Sequence, residues 1–310
     1  MKKKVKKQVR KLLLLIIILV IGFLYSKFEK NNVIKENSNS VQTVVQEGSS
    51  SVFGDESLNV YYFDVGQADA ILLEINNQYM MIDAGNNADG PLLVDYMKKL
   101  GVEKIDYLVA THAHEDHIGG IDNIINAFTI DKFYMPDVVT ITKTFEDVII
   151  ALEDKNVGID VPNIGDSFNF GLMEFEVLYL GDDDSNLNET SIVLRGVYGD
   201  NSFLFTGDAT DNCESVILKN KSFIDSDVLK IGHHGSRYSS SVDFLKKVTP
   251  KYAIISTGIG NSYDHPHQEA ISRLENIGTE IYRTDINGTI VVSSDGRNIS
   301  VSTIKSEVDG

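Results

Sequence analysis

The chain is short of cysteine and tryptophan and, past its first thirty residues, of positive charge. Cys213 stands alone. One thiol cannot close an intramolecular disulfide, so no covalent staple holds the fold, and a Cys-rich zinc finger is excluded. Its expected place is the core, as a small buried hydrophobe. Tryptophan is missing and prolines number five, and neither fact decides anything. Residues 1–30 hold nine of the 28 Lys and Arg and one acid, Glu29. The other 280 residues carry 19 basic and 44 acidic side chains, a net of −25 against −17 for the whole chain. A body this acidic repels polyanions at long range. A nucleic-acid substrate would need a local basic or metal-filled groove.

Long apolar runs are scarce too. "LLLLIIILVIGFLY", Leu12 to Tyr25, follows "MKKKVKKQVRK". Its 14 residues fall short of the roughly 20 of a relaxed membrane span. Extended from Val9 to Phe28, with Lys and Arg snorkelling at both ends, it reaches far enough. No convincing small-x-small site follows it. The expectation is an uncleaved signal anchor over residues 1–30, single-pass, with the rest of the chain outside the membrane. Secretion after cleavage is the alternative. Residues 31–57 are polar, with "KENSNSVQ" and "EGSSS", and read as a flexible linker. One folded domain is expected over 58–305, then a tail over 306–310. No internal repeat is visible.

Within the domain, strands and helices alternate irregularly. "LNVYYFDVG", "AILLEI" and "QYMMIDAG" read as strands, the last two joined by an "NN" hairpin. "GPLLVDYMKKLG" reads as a helix with Pro near its start and Gly after its end. "IDYLVATH" (105–112) is a buried strand, and "IGGIDNIINAF" opens a helix after it. A further helix fits 145–155. Strands fit 174–179, 191–198, 202–206 and 227–231, and helices fit 211–219 and 241–248. "YAIISTG" is a strand, "HQEAISRLENIG" a helix, and three strands close the chain. The pattern suggests sheets packed face to face with helices outside.

Histidine is sparse but grouped. All seven lie in three clusters: His112, His114 and His117; His233 and His234; His265 and His267. The first two clusters follow apolar, strand-like runs, and the third lies in a loop soon after one. Asp83 in "MIDAG" and Asp208 in "FLFTGDA" share that layout. Such placement points to one site. Imidazole and carboxylate without cysteine suit zinc, manganese or iron. In "HAHEDH", His112 and His114 lie two apart and can face the same side of an extended segment. Asp116 and His117 reach a second position once the chain turns. Gly119 and Gly120 permit a tight start to the next helix.

His112-x-His114-x-Asp116-His117 resembles the signature of the metallo-β-lactamase superfamily. The resemblance covers about Leu58 to Ile304. It implies an α/β (α+β) fold, a four-layer αββα sandwich. "FDVGQADAILLE", "NETSIVLR", "LFTGDA", "LKIGHHGS" and "YDHPH" together resemble the metallo-hydrolase domain of the ComEC family of competence proteins. Ala68 stands where that family usually has glycine. The single apolar run leaves no channel-forming membrane part, so the expectation is a stand-alone, membrane-anchored form.

The resemblance implies two divalent ions, zinc first and manganese second. His112, His114, Asp116, His117, Asp208 and His233 would be ligands, with Asp208 shared. Asp83 would orient a ligand, with direct ligation as the alternative. Asp116 and His265 are the catalytic candidates, His265 as acid or phosphate contact. His234, Ser236, Asn188, Gln67 and Asp69 are candidates for binding substrate, although His234 and Ser236 can equally cap helices, and Gln67 and Asp69 can serve a turn. His267 is expected to cap the helix beginning near Gln268. Arg195 and Arg237 could touch phosphate or form surface ion pairs.

β-Lactamases of this fold place a third histidine between the opening motif and the bridging acid. Here no histidine occurs between His117 and His233, and the corresponding segment is "NETS". That argues against β-lactamase activity. The expected function is a metal-dependent phosphodiesterase, conceivably a nuclease, using a metal-bridging hydroxide. The alternatives are a cell-surface phosphorylcholine esterase and a non-catalytic metal-binding module. Oligomeric state is not legible.

Overall fold

The structure is a computed structural model and describes residues 57–182, 185–221 and 223–305. The expected anchor, the linker up to residue 56 and the tail lie outside the described residues. Among the described residues no helix is long and apolar enough to cross a membrane.

Among the described residues, fifteen strands form two mixed sheets. The first holds β1 (Leu58–Tyr62), β2 (Ala70–Ile75), β3 (Gln78–Ala84), β4 (Lys104–Val109), β5 (Thr129–Tyr134) and β6 (Ile159–Asp160), with β14 (Thr289–Ser294) and β15 (Ile299–Ile304) beyond β1. The second runs β13 (Glu280–Arg283), β12 (Tyr252–Ile255), β11 (Val228–Lys230), β10 (Asn201–Phe205), β9 (Val193–Tyr198), β8 (Met173–Tyr179) and β7 (Ser167–Phe170). The helices are α1 (Gly90–Lys99), α2 (Glu115–Ile118), α3 (Ile121–Ala127), α4 (Lys143–Lys155), α5 (Asp211–Asn220), α6 (Val242–Val248), α7 (Gln268–Asn276) and α8 (Thr284–Asn287).

Strand alternation builds the layers. Ile71 and Leu73 of β2, Met80 and Ile82 of β3 and Val60 and Tyr62 of β1 face the second sheet. There they share a core with Phe175, Leu194, Phe203 and Phe205. Their neighbours Tyr61, Leu72 and Met81 point the other way, onto α1, α3 and α4 through Leu93, Ile124 and Val148. Leu204, Leu229 and Ala253 point outward from the second sheet, onto α5, α6 and α7 through Ile217, Phe244 and Leu274. Each such buried side chain contributes about 1.5–3 kcal/mol. The result is the four-layer αββα sandwich the sequence implied. Cys213 is buried in the outer core of the second sheet.

Asn76 and Asn77 turn the β2–β3 hairpin with positive φ at both positions, the backbone that a two-residue turn of matching twist requires. Three strands escaped the sequence reading: β5, β6 and β7. β5 buries only Ile130 and Phe133 in full, and the exposed Asp131 and Lys132 between them break both the alternation and the apolar signal. β6 has only two residues, both exposed.

β3, β4 and β5 run parallel, and so do β10, β11, β12 and β13. Parallel strands deliver their carboxyl ends to one edge of the sheet, where open α/β sheets place ligands. Asp83 belongs to the end of β3. "THAHEDH" follows β4, Asp208 follows β10, and the second histidine cluster follows β11.

Candidate metal centre

The two sets of strand ends meet around a cavity of about 530 Å³. Its lining includes Gln67, Asn86, His114, Glu115, Asp116, Asn188, Asp208, His233, His234, Tyr263 and His265. No Lys or Arg is among the lining residues.

Among the described residues four groups of ligand atoms converge; two share no residue, His112 with His114 and Asp208, and Asp116 with His117 and His234, and the other two include Asp69. His112 Nε2 lies 3.0 Å from His114 Nδ1 and 3.9 Å from Asp208 Oδ2. His234 Nε2 lies 3.3 Å from Asp116 Oδ2. Asp208 stands between the two groups that share no residue. Its Oδ1 is 3.3 Å from His117 Nε2, and its Oδ2 is 3.7 Å from His234 Nε2.

The backbone explains this convergence. His114 is extended and begins α2, so Asp116 and His117 turn away from His112 and His114 onto the next helical turn. Gly119 and Gly120 have ordinary negative φ. Their need is space. A Cβ on Gly119 would sit 2.2 Å from the Asn86 backbone, and one on Gly120 2.3 Å from the Ala84 carbonyl.

Asp83 is held hard. The Thr111 N–H donates to Oδ1 (2.8 Å) and the Thr111 hydroxyl to Oδ2 (2.7 Å). His117 Nδ1 also lies 2.7 Å from Oδ2. With Nδ1–H given to Asp83, the ring turns Nε2 toward Asp208. His234 follows the same logic, its Nδ1 lying 3.0 Å from the Ser256 carbonyl.

The second histidine pair divides differently from expectation. His234, not His233, joins a ligand group. Both residues adopt left-handed backbone, φ 50° and 52°. That reversal drives the second ring inward and leaves the first on the wall, its Nε2 3.8 Å from Asp208 Oδ2. His234 is buried and His233 half-buried. His233 faces Asn188, whose Nδ2 is 3.4 Å from its Nε2.

Two expected substrate contacts are also reassigned. Ser236 is buried away from the lining, and its hydroxyl accepts from the Tyr238 N–H at 3.3 Å. Asp69 lies beneath the floor, buried, with Lys230 Nζ at 2.7 Å from its Oδ2. Asn188 and Gln67 do line the cavity. His267 takes the position before α7 but makes no cap bond there, and its Nδ1 accepts from the Arg237 N–H. Arg237 pairs with Glu269, and Arg195 donates to the Asp225 carbonyl.

Gln67 fixes His265. The amide oxygen accepts from the Thr257 hydroxyl and the Gly258 N–H. Its Nε2 is therefore the donor facing His265 Nδ1, at 3.4 Å. That leaves His265 Nε2 as the protonated nitrogen of a neutral ring. Burial, with His233 and His234 close by, pushes this imidazole down to about 4, so the ring is neutral at pH 7.

The buried charges show what the cluster lacks. Burial disfavours charge on His117, yet Asp208 and Asp83 outweigh it and hold the ring well above its usual pKa. Burial is likewise outweighed at Asp208, held well below its usual value by His117 and His234. Burial opposes charge on His234 too, but Asp208 and Asp116 raise it. Burial lowers His112, reinforced by His117. The carboxylates demand positive charge, and a divalent ion supplies it without the protons. His117 Nε2, Asp208 Oδ1 and His234 Nε2 are buried and make no well-formed hydrogen bond. Orphaned atoms of these kinds, converging, fit divalent cations bound through N and O.

Lys230, Thr111 and Tyr263 were missed at the sequence level. A lysine inside the apolar run "DVLKIG" was the available signal, since a charge is buried only when paired.

Comparison with known proteins agrees with this architecture. Residues 63–259 match the Metallo-beta-lactamase superfamily. ComE operon protein 3 of Bacillus subtilis (strain 168) is 30% identical over 246 residues, covering 73% of this chain and 32% of that protein. Competence protein ComA of Neisseria gonorrhoeae is 31% identical over 233 residues, covering 74% of this chain and 31% of that protein. The chain thus spans about a third of the length of these relatives. In structure it is similar to the metallo-beta-lactamase fold protein YhfI from Bacillus subtilis, with a TM-score of 0.54 and 15% identity. That match covers 77% of this chain and all of YhfI.

Proposed function

Because the chain belongs to the metallo-beta-lactamase superfamily, we propose that it is a metal-dependent phosphodiesterase whose cavity holds two divalent ions. The observation that carries this is Asp208, set between two ligand groups at a cavity floor. His112 and His114 would hold one ion, and Asp116, His117 and His234 the other, with Asp208 shared. Zinc or manganese suits the donor set. Bound there, the ions supply Lewis acidity and a water of lowered pKa.

The chain's own groups do the rest. Asp83 and the Ser256 carbonyl hold the ring nitrogens of His117 and His234 away from the cavity, so their Nε2 atoms face it. His265 presents Nε2–H, a neutral donor at pH 7, to a leaving oxygen. His233 and Asn188 offer further polar contact on the wall. Beyond the ions, the lining brings carboxylates and neutral groups and no Lys or Arg. That suits the single charge of a phosphodiester better than the double charge of a monoester. The same lining and the acidic body leave a long polyanion poorly attracted. At the rim, Glu115 and the exposed Tyr263 favour a second reading, a diester bearing a quaternary ammonium group such as phosphorylcholine.

The test uses purified full-length protein loaded with zinc or manganese. Substrates are bis(p-nitrophenyl) phosphate, p-nitrophenyl phosphate, p-nitrophenyl phosphorylcholine, single-stranded DNA and a chromogenic β-lactam. Diester cleavage that needs metal and disappears in His114→Ala is the expected result. Cleavage of the β-lactam alone, or inertness on every phosphodiester, overturns the proposal.

A further inference from the structure

Lys230 is fully buried at the end of β11, four residues before His234. Its Nζ lies 2.7 Å from Asp69 Oδ2 and donates to the Ile231 carbonyl at 2.9 Å. Asp69 is buried with it. Burying a lysine and an aspartate together is expensive, and apolar residues of similar volume often serve stability as well or better. A core that only needed filling would not require this pair.

Its location suggests another use. Asp69 approaches the Asp116, His117 and His234 group at three points, one of them a hydrogen bond and two of them charge contacts. Its N–H donates to the Asp116 carbonyl at 3.0 Å. Its Oδ1 lies 3.5 Å from His234 Nδ1, and its Oδ2 3.9 Å from His117 Nδ1. Asp69 is also near enough to Asp208 and His234 to serve as a ligand itself. Lys230 stands at its other oxygen, Oδ2, while Oδ1 is the one toward His234.

We propose that Lys230 and Asp69 form a positioning pair for the second ion. Lys230 holds Asp69 by Oδ2 and so fixes where Oδ1 stands behind His234. Asp69, held in place, adds a carboxylate behind His234 Nδ1 and reinforces the Ser256 carbonyl in turning Nε2 toward Asp116 and Asp208. Carboxylates behind ligating histidines have this effect in general, and their loss costs about 10–100-fold in metal affinity. The inference rests on the two-ion reading above.

The test titrates zinc into metal-free full-length protein against a chromogenic chelator, with the visible spectrum of the cobalt form as a second readout. The variants are Lys230→Met, Asp69→Asn and the double variant. Wild type is expected to bind two ions. Each single variant should keep one tightly held ion and bind the other about 10–100-fold more weakly, with an altered cobalt spectrum. The double variant should be no worse than Lys230→Met, because both residues act through one ring. If Lys230→Met fails to fold with Asp69 unpaired, the neutral double variant carries the measurement. Wild-type affinity in the double variant, or losses that add, overturns the proposal. A double variant that cannot fold does so too, since the pair would then be a prop for the core. Wild type that binds no metal overturns both this inference and the two-ion reading. Wild type with two ions and unchanged variants overturns this one alone.

Discussion

At the scale of single residues, adjacent histidines do different work. His233 and His234 share a left-handed turn; the second falls in a ligand group, while the first approaches Asp208 alone, at 3.8 Å. His234→Ala is expected to lose one of two bound ions by elemental analysis. His233→Ala should retain both and lower diester turnover by about a hundredfold, as loss of a positioned polar group at the reacting centre does. The first cluster was legible from its spacing, because "HAHEDH" allows few arrangements. "HH" after a strand was not. The choice depends on two φ angles that a sequence pattern does not encode.

Another residue sits far from this chemistry. Glu214 is buried in α5, and its carboxylate accepts from the Ser240 and Ser241 N–H groups. Burial raises its pKa to about 7, against those bonds. A carboxyl with a raised folded pKa binds more protons folded than unfolded. It therefore contributes stability below about 4.5 and loses it as pH rises toward 7. Denaturant unfolding from pH 5 to 7 should show this loss in wild type, at most about 1.4 kcal/mol per pH unit. Glu214→Gln should flatten that slope. Equal slopes in the two proteins would refute the assignment.

At the scale of elements, strand ends and one tight turn build the site. β3, β4, β10 and β11 each end in a residue or loop that enters the cavity, so the sheets fix distances that no single loop could. The strands supplying the site were legible, because buried parallel strands read as continuous apolar runs. β5, β6 and β7 were not, being charged, very short or half exposed. The joint between α2 and α3 is tight. Gly119→Ala would press a methyl group into the Asn86 backbone. It should destabilise the protein by about 1–3 kcal/mol or more in denaturant unfolding and reduce metal affinity with it. A neutral Gly119→Ala would show that the loop yields freely.

At the scale of the whole molecule, charge and family point the same way. A chain of net charge −17 that buries Asp69, Asp83 and Asp208 around one cavity needs internal cations. Lys230 supplies one. Metal ions would supply the others, and any ligand of the native state stabilises it by mass action. Chelator should therefore lower the thermal midpoint, and free metal at about a hundred times its dissociation constant should restore about 2.7 kcal/mol per ion. The family was legible because its motifs sit at strand ends, where few residue types serve. The division of labour beneath them, with Lys230 under the floor, became visible only when β2 and β11 were brought together.

The central claim is that two ions, sharing Asp208, act on a phosphodiester. The measurement is bis(p-nitrophenyl) phosphate turnover as zinc or manganese is added stepwise to metal-free protein, with Asp208→Asn beside wild type. Turnover that rises until two equivalents are bound, and that is lost in Asp208→Asn, is the predicted result. Turnover that saturates at one equivalent, survives Asp208→Asn, or never appears with both ions bound would contradict the account.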